Sequence, residues 1–285
     1  MTGRRSKRRG EAKKIMPTSD KVILLLVAHA DDTEFLAGGT IAKFASEGWE
    51  VFEVIATDNQ RGSFDIPSKQ LIKDSEAEAL AAARILGKKD VIFLRYPDGM
   101  LRDYPLNRLR EQFIRLIRTY RPRIVFTFDP WAPFEPHPDH QMVAQAAVEA
   151  IGFSQNPKFY PEHFKKGLKP HLVAEAYYFA KANVHANTYI DITDFIDKKI
   201  DALCAHDSQM KLTIDEMKLS LVANNVAPKT TASLDRNNYR GVIDLMVKMY
   251  CGAIGKKAGC QFAEEFRYEL AGGEIVKAIK EMGLE

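Results

Sequence analysis

Residues 22–35 read VILLLVAHADDTEF: a wholly apolar run that passes at once into a histidine, two adjacent aspartates and a glutamate. The run does not alternate, as expected of a parallel strand covered on both faces. The ionisable groups that follow, His29, Asp31, Asp32 and Glu34, are poor core material. They must face water or hold something.

Outward from this strand the chain keeps a regular beat. Residues 34–47 have helical spacing and stop at Gly48, whereas 50–57 (EVFEVIAT) alternate and are rich in β-branched and aromatic residues. Residues 73–87 form an Ala-rich helical stretch ended by Gly87, and 90–96 (DVIFLRY) read as a third strand. A helix over 106–120, a strand over 123–128 (RIVFTF) and a helix over 141–151 complete four strand–helix cycles. Such alternation predicts right-handed crossovers and an α/β, Rossmann-like, mostly parallel sheet flanked by helices. A fifth strand over 172–180, a short sixth over 189–192 and a helix over 193–210, capped by Thr193 or Asp194, are also expected. Residues 210–285 read as a mainly helical elaboration without a clear second core. The organisation is then a basic, disordered arm over 1–19 and a single domain over 20–285, with its core in 20–209.

Composition narrows the class. A hydrophobic content of 46% and a charged content of 28% are ordinary for a globular chain. No stretch approaches the roughly 18 apolar residues that span a bilayer. The three cysteines form no CxxC pattern, which fits idle thiols in a reducing compartment. A basic start, a short apolar run and AHA at 28–30 imitate a secretory signal. The apolar run is short for that role and Lys21 abuts it, so a cytoplasmic protein is expected. The first 14 residues carry seven Lys/Arg against one Glu, and the rest of the chain is net acidic. No aromatics interleave with those charges, so a solubilising terminus is read rather than a nucleic-acid arm.

The chemistry gathers on one edge. His29, Asp31 and Asp32 follow the first strand, Arg61 the second, Asp98 the third, and His137, Asp139 and His140 the fourth. In doubly wound sheets this carboxyl edge is where ligands bind. The first turn holds carboxylates where a dinucleotide site needs glycines, and no GxSxG elbow exists. Imidazole with carboxylate suits zinc or a related divalent cation, with spare groups for proton transfer. Taken singly, Asp31 or Asp32 could cap the helix that follows, and the histidines of HPDH (137–140) could be solvated. Neither reading explains why both clusters reach one edge.

AHADDTE (28–34) with HPDH about a hundred residues on resembles the PIG-L/LmbE-like de-N-acetylases, metal-dependent hydrolases of N-acetylglucosaminyl groups. The likeness extends through EAEALAAARILG, YPDGML, DITDFIDKKIDALCAHDSQ and AEEF, covering most of the chain from about residue 20. It implies His29, Asp32 and His140 as ligands of zinc or another divalent metal, Asp31 as general base, and protonated His137 as electrophile or acid. The implied substrate is a small amino-sugar conjugate, the products acetate and a free amine; such proteins often form homo-oligomers. The family usually has Pro where this chain has Ala30, which predicts altered loop rigidity with the chemistry retained.

Arg61 and Asp98 are placed on the substrate side, Glu34 as an acceptor bracing an imidazole of the ligand loop, and His206 near the site as a buried histidine. A non-catalytic metal- or sugar-binding module, or a hydrolase of another amide, are the competing readings. Phosphate substrates are disfavoured by an acidic site without clustered Arg or Lys. The aglycone is left open.

Overall fold

The structure is a computed structural model that describes residues 15–226, 229 and 233–283. The first fourteen residues of the basic arm lie outside that range. Thr18, at its far end, donates its amide and hydroxyl to the Glu50 carboxylate.

Val22–Val27 forms β1, buried along its whole length. It lies between β2 (Glu50–Thr57) and β4 (Ile124–Phe128), parallel to both, with Ile23 opposite Val51 and Ile124. With β3 (Asp90–Tyr96), β5 (Glu175–Phe179) and β6 (Thr188–Asp191), plus β7 (Ala263–Leu270), the order is β3-β2-β1-β4-β5-β7-β6. The first five strands in that order are parallel, and β7 runs antiparallel to both neighbours. Helices α1 (Asp32–Ser46), α2 (Ser68–Leu86), α3 (Leu106–Tyr120) and α4 (Pro138–Phe153) supply the crossovers. Because the chain winds from β1 towards β2 and later returns to β4 on the other side, the sheet's switch point opens between the ends of β1 and β4.

Two features depart from the sequence reading. The C-terminal segment is not only helical, since β7 inserts between β5 and β6. Its sequence AEEFRYEL hides the strand, because charged residues fall on both faces. Phe266 packs edge-on to Phe126 and Tyr177, while Glu264 is buried against Lys199. The helix expected over 193–210 is broken at His206 into α5 (Ile196–Cys204) and α6 (Asp207–Ala223). Its cap is neither Thr193 nor Asp194: Asp191 Oδ1 accepts from the amide and hydroxyl of Thr193. The break lets Ser208 donate its amide and hydroxyl to Glu78 on α2.

Further α-helices among the described residues are α7 (Arg240–Ala258) and α8 (Gly273–Glu281). A second, smaller apolar cluster, including Ile200, Leu203, Met210, Ile243 and Cys251, joins α5, α6 and α7. Close approach of α1 to this unit depends on Gly39, where a Cβ would fall within 2.8 Å of Ile192 Cβ. Among the described residues no helix is long and apolar enough to cross a membrane.

Candidate metal and active site

The turn after β1 delivers His29, and the N-terminus of α4 delivers His137 and His140, on either side of the switch point. His29 Nδ1 lies 3.1 Å from His140 Nε2. Asp32 Oδ1 is 3.2 Å from His140 Nε2, and Asp32 Oδ2 is 3.6 Å from His29 Nδ1. Ligands about 2.0–2.1 Å from a tetrahedral cation lie roughly 3.3 Å apart, so this donor set fits such an ion. Burial opposes charge on Asp32, but His140 and His29 outweigh it and hold its carboxyl well below the usual range. Asp32 Oδ2 also accepts the amides of Ala28 and His29, which fixes the carboxylate. Asp32 therefore reaches back into the turn, and Asp31, at the helix start, makes no side-chain cap.

Each of the two imidazoles has a carboxylate at its other nitrogen. His29 Nε2 is 3.2 Å from Asp98 Oδ1 and 3.5 Å from Asp139 Oδ2. His140 Nδ1 is 3.2 Å from Glu135 Oε2, and its ring stacks on Phe128. Carboxylates in this position fix ring orientation and raise the basicity of metal-binding histidines. Two groupings bring their donor atoms within 4.8 Å of one another: His29 with His137 and His140, and His29 with Asp98, His137 and Asp139. Asp139 in the latter set already accepts the amides of Gly99 and Leu101.

Asp31 lines the same cavity. Burial and the neighbouring Asp32 charge push its carboxyl up to about 6, against the pull of His206 and His29. His137 differs from expectation. Burial and the charges of His29 and His140 press it down to about 4, and its Nδ1 accepts the Asp139 amide. With Nδ1 accepting, a neutral ring carries its proton on Nε2.

Glu34 is placed differently from the sequence reading. It braces neither His29 nor His140: its Oε1 takes Lys88 Nζ at 2.7 Å, and its Oε2 lies 3.6 Å from His206 Nε2. His206 is fully buried behind the site. Asp98 is engaged by His29 on one oxygen and by the Arg61 amide on the other, while Arg61 Nη1 donates to the Asp98 carbonyl. Gly99 is required there, with φ at +76° and a position whose Cβ would sit 2.6 Å from Arg61 Nη1.

Residues 24–151 match the family described as PIG-L, GlcNAc-PI de-N-acetylase. A diacetylchitobiose deacetylase of Thermococcus kodakarensis is 32% identical over 201 residues, which are 69% of this chain and 73% of that protein. The chain belongs to the PIG-L family. A 1D-myo-inositol 2-acetamido-2-deoxy-alpha-D-glucopyranoside deacetylase of Rhodococcus erythropolis is 29% identical over 266 residues, 76% of this chain and 90% of that one. The structure of N,N'-diacetylchitobiose deacetylase from Pyrococcus horikoshii superimposes with a TM-score of 0.72 at 28% identity, covering 88% of this chain and 84% of that one. As a member of the PIG-L family the chain is a hydrolase of the N-deacetylase class.

The PIG-L site opens into a cavity of about 640 Å³. Within it sequence reasoning missed Asn59, whose Oδ1 accepts the Ala30 amide at 3.2 Å. Proline at position 30 would have no amide to give. Sequence reasoning also gave no role to Glu135 or Asp139. Both sit in the Pro-rich stretch around HPDH, and density of acidic residues was the only signal available.

Proposed function

We propose that the chain removes the acetyl group from an N-acetylglucosamine-type conjugate, with zinc held by His29, Asp32 and His140. The observation that carries this reading is the convergence of His29 Nδ1, His140 Nε2 and the Asp32 carboxylate, with Asp31 lining the same cavity. A cation bound there supplies Lewis acidity, which lowers the pKa of water and polarises the acetamide carbonyl.

The chain's own groups do the rest. Asp31, as carboxylate, takes a proton from the attacking water through an Oδ atom. His137 donates its Nε2–H to the carbonyl oxygen as negative charge grows there, the preorganised dipole such a step needs. Because Nδ1 of His137 is occupied by the Asp139 amide, the neutral ring needs no extra proton to fill this role. Protonated Asp31 then gives its proton to the nitrogen as the C–N bond breaks. Acetate and a free amino sugar leave.

Asp98, Asp139 and Glu135 hold the two ligand imidazoles in register, and Arg61 fixes the 61 and 98 loops to one another. The reading keeps the cytoplasm as compartment, supported by Cys204, Cys251 and Cys260 all being unpaired thiols. It also keeps one domain from residue 20 onward and leaves room for a homo-oligomer.

Acetate release from N-acetylglucosamine conjugates by metal-loaded protein tests the function. Asp31→Asn should retain the metal and lose turnover by about a hundredfold or more. Full turnover in that variant would remove Asp31 from its role, and metal-loaded protein inactive on every conjugate would leave a binding module.

A further inference from the structure

The cavity is chemically two-sided. Near the imidazoles its walls are polar. Past Phe35 and Leu36 of α1 it continues against α6 and α7, where Leu212, Met246, Val247 and Tyr250 line it. Tyr250 is 43% exposed, and Leu212 and Met246 are half-buried, so apolar surface faces the open space.

Apart from the solvent-exposed Glu216 carboxylate and Tyr250 hydroxyl, the polar groups considered on this side are already engaged. Lys199 Nζ donates to the Glu34 and Phe35 carbonyls and to Glu264 Oε1, which uses all three of its donors. Thr213 turns its hydroxyl to the Gln209 carbonyl. The Cys251 thiol is buried, and burial pushes it up to about 11, so it stays neutral. An anionic group would find no cation among the described residues of α6 and α7 that line the cavity. The hydroxyls of a second sugar or an inositol would find only the solvent-exposed Glu216 carboxylate and Tyr250 hydroxyl as partners along this wall. An alkyl or aryl group gains by covering these side chains.

We propose that the α1–α6–α7 wall is an aglycone subsite for a neutral, apolar alkyl or aryl group carried by the amino sugar. This rests on the deacetylase reading above and names its substrate class. Helices α6 and α7 lie outside the residues that match the family model, 24–151, whereas Phe35 and Leu36 of the same wall lie within them.

The test compares acetate release by the full-length, metal-loaded protein from methyl, octyl and phenyl N-acetylglucosaminides, in both anomers, and from N,N'-diacetylchitobiose. The octyl or phenyl glycoside should exceed the methyl glycoside and the disaccharide by at least about tenfold in kcat/KM, carried mainly by KM. Met246→Gln should draw the octyl-to-methyl ratio towards one, and Leu212→Asn on the facing helix gives the same reading independently. Acetate release with the methyl glycoside or the disaccharide as good as the apolar glycosides overturns the subsite while leaving the deacetylase intact. No acetate from any of them overturns the function on which the subsite rests.

Discussion

Asp98 Oδ1 lies 3.2 Å from Nε2 of His29, while Nδ1 of the same ring lies 3.1 Å from His140. One imidazole is thus held by a carboxylate on one side and faces its partner ligand on the other. A carboxylate placed this way orients the ring and raises its basicity towards a metal. Asp98→Ala should weaken metal binding by about 10–100-fold with the fold retained, as read by chelator competition. Unchanged affinity would return Asp98 to the substrate-side role read from the sequence.

Behind the site, Lys88 Nζ sits 2.7 Å from Glu34 and 2.8 Å from Glu53, all with fully buried side chains. Removing the cation leaves two carboxylates without a counter-charge, and breaking such a pair costs about 3–5 kcal/mol. Lys88→Met should lower the unfolding free energy by that amount, as read from denaturant titration. Adding Glu53→Gln should recover part of the loss, because one uncompensated charge is then removed.

His171 carries a pH prediction. Burial and the nearby Arg121 lower its pKa below 6.5, although its Nε2 bonds to the Pro122 carbonyl at 2.7 Å. The folded state therefore binds this proton less readily than the unfolded chain. The contribution is complete above about pH 6.5 and is lost as pH falls from there through the lowered value. His171→Gln should flatten the acid limb of the stability curve by up to about 1.4 kcal/mol per pH unit. An acid limb identical to that of the unmodified chain contradicts this.

Ala30 offers a fourth test. Its amide bonds to Asn59, which is buried and left-handed at φ 54°. Ala30→Pro removes that donor, and leaving Asn59 Oδ1 unpaired should cost about 1–3 kcal/mol, read from thermal unfolding. Pairing Ala30→Pro with Asn59→Ala should cost less than the sum of the two single changes, since they share one bond.

How much of this was legible beforehand depended on distance along the chain. β1 and the ligands beside it were readable because a two-sided buried strand is a continuous apolar run and its carboxyl end is where ligands gather. The pairing of His29 with His140 followed from the strand–helix alternation. The backing of His29 by Asp98 did not, because it joins the loops after β1 and β3 and needs the sheet's geometry to be seen. Glu34 was read as bracing an imidazole of the ligand loop, yet the first turn of α1 carries it round to Lys88. β7 was hidden by its charges, including Glu264, which is buried where Lys199 of α5 and the amides of Gly39 and Thr40 meet it. The apolar wall on α6 and α7 faces a cavity rather than the core, a distinction no hydrophobic pattern contains.

Metal content tests the central claim most directly. Measured by elemental analysis after exhaustive dialysis, the unmodified chain should hold about one divalent transition-metal ion, and His29→Ala and His140→Ala should each lose it while staying folded. Either variant keeping its full complement would contradict a cation shared between the turn after β1 and the start of α4.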